Sequence, residues 1–355
     1  GRFGFDLAGY DMTTKDQIIY LPVASTTGRT SRLANGGAIR NRGIELQLFG
    51  DIIKKKDFTW NSRINLGANR AVVVSLPEGV SGGYPIVASM FPNDGGTAGL
   101  EYVAVEGELL GQLKGLTFMR DADGNIIHEN GLPMVSEEKS TIGSYQPKAR
   151  IGWMNSFSVG NWQANILFDG QIGGLIYSRS HTLHNTAGNL VNDNDPHLDM
   201  NAIDGRVVYD VTYDGNGEPV YTLDQEGGVV GAGVMYDGNG NLVPNTVTAP
   251  LRDYYYKYYG NVWRRDNIEP STFDASYLKL RQLSIAYTVP AEKLQNTGLK
   301  GLTVSFIGRN LLLFTKVPTI DPETYSIRNG LFVNGYESTS MPSLRSFGFS
   351  INANL

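Results

Sequence analysis

At 355 residues, with a formal net charge of -5 and no cysteine, the chain offers neither disulfides nor thiolate metal sites, and it lacks the basic footprint of a nucleic-acid binder. Gly 43, Pro 15, Tyr 19 and Phe 14 in a chain that is 41% hydrophobic suit many strands joined by turns and long loops, so the chain reads as all-β. No run of about 18 apolar residues is present, which excludes a transmembrane helix but not a membrane barrel, whose strands are short and half apolar.

From Phe3 an alternating pattern runs to Tyr20, and the glycine-rich stretch 27–37 is expected to break it as a loop. Ile44, Leu46 and Leu48 then oppose Glu45 and Gln47, and a charged turn follows at 51–57. Beyond it Phe58, Trp60, Ile64, Leu66 and Ala68 alternate with Thr59, Asn61, Arg63, Asn65 and Asn69, an amide-rich face that suits a watery lumen. A long irregular stretch covers 77–144. A strand at 148–159, the tight turn Gly160-Asn161 and a further strand follow, in which Trp162, Ala164, Ile166, Phe168 and Ile172 oppose Gln163, Asn165, Asp169 and Gln171. An even longer stretch, 180–273, leads to a strand at 276–288, where the apolar phase shifts between Leu280 and Leu283 and predicts a bulge at the membrane rim. After a turn at 290–300, Leu302, Val304 and Phe306 alternate with Thr303 and Ser305. In the last strand Phe347, Phe349, Ile351, Ala353 and Leu355 share one face.

About eight strands result, joined alternately by short turns and long loops, the asymmetry of an outer-membrane barrel with short periplasmic turns and long external loops. Trp60 and Trp162 fall just past short turns, where an aromatic girdle belongs. A soluble β-sandwich remains the alternative, because its core would accept the same apolar rows. The chain starts at Gly1, with no Met and no export signal before the first strand, and reads as the C-terminal piece, 1–355, of a longer barrel protein.

The segments YDMTTKD (10–16), NRGIEL (41–46), FMRDADGN (118–125), DASYLKLR (274–281), GRNL (308–311) and PSLRSFGF (342–349), in this order and spacing, resemble the C-terminal part of SusC/RagA-type TonB-dependent transporters of Bacteroidetes outer membranes. The resemblance implies the last eight strands of a 22-stranded plugged barrel, with plug, earlier strands and TonB-contacting region absent from this chain. It also implies import of oligosaccharides or peptides at the bacterial outer membrane, with a SusD-like surface lipoprotein as lid and energy from TonB–ExbB–ExbD. Leu355 departs from the aromatic residue that usually ends such barrels. Two other readings stay open, a secreted sandwich that binds glycans and a passive porin or adhesin barrel.

Two sets of residues are candidates for substrate contact. Tyr254, Tyr255, Tyr256, Tyr258, Tyr259, Trp263 and Arg264 form an aromatic-dense loop segment that could stack on sugar faces, or could pack the loop onto its neighbours. Asn65, Asn165, Asp169, Gln171 and Arg309 lie on the polar face, where they could bind substrate hydroxyls or merely wet the wall. The Asp-Gly and Asn-Gly pairs at 121–125, 214–217 and 237–240 read as turns rather than EF-hand loops. Asn192, Asp193, Asn194 and Asp195 are a weak Ca²⁺ candidate, and no other cofactor is expected. His181 and His184 lack a nearby carboxylate to complete a zinc site, and no spacing singles out a general acid and base; no enzyme is expected.

Overall fold

The computed structural model describes residues 2–22, 28, 31–80, 83–87, 99–186, 209–216, 218–223, 228–260, 267–295, 297–324, 326–328 and 331–354. Eight long strands form one antiparallel sheet: β1 (Phe3–Pro22), β2 (Ser31–Lys54), β3 (Phe58–Ser75), β4 (Ala149–Val159), β5 (Trp162–Ile172), β6 (Tyr277–Thr288), β7 (Gly301–Thr315) and β8 (Ser346–Asn354). Each pairs with its neighbours in chain order, so the sheet is a meander. Its two outermost strands, β1 and β8, have no second sheet partner among the described residues.

The alternation expected from sequence sorts the two faces. One cross-strand row carries Phe5, Leu48, Ile64, Trp153, Phe168 and Leu280, and another carries Trp60, Phe157, Ala164, Ile285, Phe306 and Phe349. These side chains are not a core: Phe3 is 66%, Phe349 79% and Ile351 69% exposed. A sandwich would have buried them against a second sheet, whereas a barrel in hydrocarbon leaves them on its outside. The rings stack along this face, Trp60 on Phe157 and Trp153 on Phe168, each pair 5.7 Å between centroids. Trp162 lies 4.7 Å from Tyr287 beside the short turns. At the other end the apolar band stops where Asp11 meets Arg40 at 2.5 Å and Arg42 at 3.0 Å on the β1–β2 pair. No helix among the described residues is long and apolar enough to cross a membrane.

The connections after β2, β4 and β6 are short and those after β3, β5 and β7 are long, as expected; the connection after β1, 23–30, is the exception, since it lies at the long-loop end and is shorter than the 289–300 turn. Three expectations need correction. Residues 31–37 of the glycine-rich stretch are strand rather than loop, because β2 already starts at Ser31; Gly37 (φ 78) and, across from it, Asp16 (φ 55) take left-handed backbone while the β1–β2 register continues unshifted past them. The stretch 77–144 is not irregular: Tyr84–Val87, Glu101–Ala104, Gln112–Gly115 and Ser140–Ser144 make a four-stranded sheet. The long loop after β5 contains two helices, α1 (Arg179–Thr186) and α2 (Leu251–Tyr258). The bulge expected between Leu280 and Leu283 is present, with Arg281 as the extra residue of β6 opposite Asn310 and Leu311.

The buried core therefore lies mainly in the loops rather than in the sheet. Leu100, Tyr102, Leu113, Tyr177, Ile268 and Tyr336 form one cluster, and Ile176, Ala275 and Val317 another. Each joins segments from different long loops, so the loops make one packed body at their end of the sheet.

Candidate functional site

The polar face of the sheet is the inner lining a barrel would present to water. Gln47, Asn65, Gly152, Asp169 and Lys279 are successive cross-strand neighbours, and Glu45, Gly67, Arg150, Gln171 and Tyr277 form the next row toward the long loops. Three cavities open on these rows, of about 380, 620 and 370 Å³, within the range of small-ligand sites. Arg150 lines all three.

An ionic network closes the β6 side. Arg281 is two residues on from Lys279 and so lies on the same face of β6, and both reach the segment that follows β7. Lys279 Nζ donates to both oxygens of Asp321 at 2.7 Å and also to Glu323. Arg281 donates through Nε to Asp169 at 3.0 Å and through Nη2 to Glu323 at 2.7 Å. Tyr277 adds its hydroxyl to Glu323 at 2.8 Å. Lys279 and Asp321 are almost fully buried and form an ion pair with one another. Burial pushes the Glu323 carboxyl up, but the hydrogen bonds from Arg281, Lys279 and Tyr277 outweigh it and hold the carboxyl at about 2. The segment around Asp321 is thus strapped against the polar face, and Val317 at its start joins Ile176 and Ala275 in the loop core.

A second tie joins two long loops. Glu337, fully buried, accepts hydrogen bonds from Ser178 Oγ at 2.7 Å, Ser180 Oγ at 2.6 Å and the Ser340 amide at 2.9 Å. It sits at the start of α1, where Ser178 Oγ accepts from the His181 amide at 3.0 Å and caps the helix.

The candidates from sequence fall into distinct places. Asp169 and Gln171 both line the 380 Å³ cavity, beside Arg150, Tyr277 and Glu323. Asn65 lines the 620 Å³ cavity and accepts from Gln47 Nε2 at 2.7 Å. Asn165 lies nearer the short turns, accepting from Ser156 Oγ at 2.7 Å, and Arg309 is exposed on the polar face between Gln282 and Ser346. The structure does not bring these two into the cavities. Tyr254, Tyr258 and Tyr259 are buried in a cluster with Phe118, Ile126, Val229 and Ala249. Their rings are taken up by packing within the loop body, and Tyr254 also lies 3.2 Å from His128 Nε2. Tyr255 and Tyr256 are half-buried on the same helix. Trp263 and Arg264 lie outside the described residues, as do Asn192, Asp193, Asn194 and Asp195. His181 is buried against Ser271 at 3.1 Å while His184 is exposed, so the two do not converge. Sequence reasoning did not single out Arg150 or Glu323. Arg150 alternates with apolar neighbours like any lumen residue, and Glu323 acquires its role only through contacts some 40 residues distant in sequence.

An antiparallel meander with an apolar outside, a polar cavity-lined inside and folded loops at one end defines a segment of the wall of a large membrane β-barrel. The family model described as "TonB dependent receptor-like, beta-barrel" matches residues 1–213, and the chain belongs to that family. Among curated proteins it is 23% identical to TonB-dependent receptor P3 of Formosa agariphila over 370 residues, which cover 97% of this chain and 31% of that protein. It is 24% identical to TonB-dependent receptor P26 of the same organism over 373 residues, covering 99% and 33%. The chain thus spans about a third of the length of these relatives. Among solved structures, the RagAB peptide importer in its "closed-closed" state superposes with a TM-score of 0.61 at 18% identity, over 99% of this chain and 33% of that one. The "open-open" state gives 0.61 at 16% identity.

Proposed function

We propose that this chain supplies the last strands and the external loops of a TonB-dependent importer in a bacterial outer membrane. The complete protein draws oligosaccharides or peptides past the polar face, with a SusD-like lipoprotein over the loop end and energy delivered through TonB–ExbB–ExbD. The short turns face the periplasm and the folded loops face outward. Asp169 and Gln171 contact substrate from the wall, Asn65 lines the adjoining cavity, and the strapped segment around Asp321 shapes the opening. The tyrosines of α2 hold the loop body together. No chemical step is assigned to the chain.

The observation that carries this reading is the opposition of the two faces, apolar and exposed on one side, polar and cavity-bearing on the other. Membership of the TonB-dependent receptor family supports it. The test is uptake of a labelled oligosaccharide or peptide mixture by cells carrying the complete protein, with and without TonB. Uptake that stops without TonB is expected; undiminished uptake would favour a passive pore.

A further inference from the structure

The 620 and 370 Å³ cavities share Glu45, Gly67 and Arg150 in their linings. These are consecutive neighbours in one cross-strand row, with Gly67 in the middle. The two cavities are therefore halves of one groove that passes over Gly67, with an acid on one bank and a guanidinium on the other. Neither Glu45 nor Arg150 forms an ion pair with any described residue, in contrast to Lys279, Arg281, Asp169, Asp321 and Glu323 beside them. Gly67 has no steric need to be glycine: a Cβ there would meet nothing within 4 Å. A glycine inside a strand weakens it, and one of its frequent uses is to let a ligand or another backbone approach closely. Two strand spacings put the Glu45 and Arg150 backbones about 10 Å apart, a span that a peptide of two or three residues bridges between its ammonium and carboxylate groups.

Resting on the import reading, we infer that this groove binds zwitterionic peptide, the ammonium group on Glu45 and the carboxylate on Arg150, whose planar fork donates bidentately to a carboxylate. A neutral oligosaccharide would leave both charges without a partner, and an acidic one would leave Glu45 without one.

The complete transporter, purified in detergent, is titrated calorimetrically with trialanine, with N-acetylated and C-amidated trialanine, with maltotriose and with trigalacturonate. Trialanine is expected to bind, and capping, Glu45→Gln and Arg150→Gln each to weaken it about tenfold. Gly67→Trp, which fills the groove and keeps both charges, is expected to abolish binding. Heat-modifiable gel migration of each variant establishes that the barrel is intact. Equal binding of the capped form overturns the inference, as does trigalacturonate binding that needs Arg150 and not Glu45, the mark of an acidic glycan site. Absence of trialanine binding also overturns it. If TonB-dependent uptake then survives Gly67→Trp, the import reading stands and the groove is filled by another part of the polypeptide; uptake that never required TonB counts against the import reading itself.

Discussion

Lys279 shows how one buried charge can fix a whole segment. Its ammonium group, 3% exposed, is compensated by Asp321 and Glu323, both in the strap after β7. Lys279→Met would leave the Asp321 carboxylate buried without a counter-charge, at a cost of about 3–5 kcal/mol. The loss should be local, seen as faster amide exchange over 316–324 with the heat-modifiable migration of the complete barrel unchanged. Glu323 sets the pH response of the same strap. Its folded carboxyl lies at about 2 against an ordinary 4.5, so its contribution is complete above 4.5 and is lost as pH falls toward 2. Amide protection factors over 316–324, corrected for the intrinsic pH dependence of exchange, should therefore be constant at neutral pH and fall below about 4.5, and Glu323→Gln should remove that fall. A protection factor that stays constant down to about pH 3 and falls only above neutral pH would contradict the assignment.

Strand by strand, what matters is which side of the pleat a residue occupies. Ile166 and Asn165 are adjacent on β5 and at the same depth, yet one shares its row with Asn155 and Leu283 on the apolar face and the other with Ser156 and Ser284 on the polar face. In the complete barrel, Ile166→Lys should cost about 2–4 kcal/mol and Asn165→Lys well under half of that, measured as denaturant unfolding in lipid vesicles. The two-residue period made all eight strands and the bulge at Arg281 legible in the sequence, because each strand's pattern depends only on its own residues. The loops were less legible, since their cores join distant segments such as Leu100, Tyr177 and Tyr336. One local signal was there to be read: Tyr254 and Tyr258, and Tyr255 and Tyr259, are four apart, a helical spacing that α2 uses to bury one face. The site was half legible. Asp169 and Gln171 followed from alternation, whereas the strap that shapes their cavity depends on pairs such as Lys279 and Asp321, 42 residues apart.

For the molecule as a whole, the edges of the sheet decide what the chain can do alone. β1 offers 20 residues of backbone on its outer side and β8 offers 9, and neither is covered by another described strand. The chain is thus an open sheet and not a small closed barrel, and in hydrocarbon each unpaired N–H or C=O along those edges costs several kcal/mol. In water the same sheet exposes the apolar rows through Phe5, Phe347 and Phe349. Neither solvent accepts it, so this length produced alone should aggregate without detergent and lack heat-modifiable migration in it. Co-production with the remaining two-thirds of a relative-sized polypeptide should restore that migration, because β1 and β8 then find strands that satisfy their backbone groups. Size-exclusion chromatography with light scattering on the chain alone is the direct measurement. A monodisperse monomer in plain buffer would mean that the apolar rows are buried after all, which is the behaviour of a sandwich and incompatible with a barrel wall.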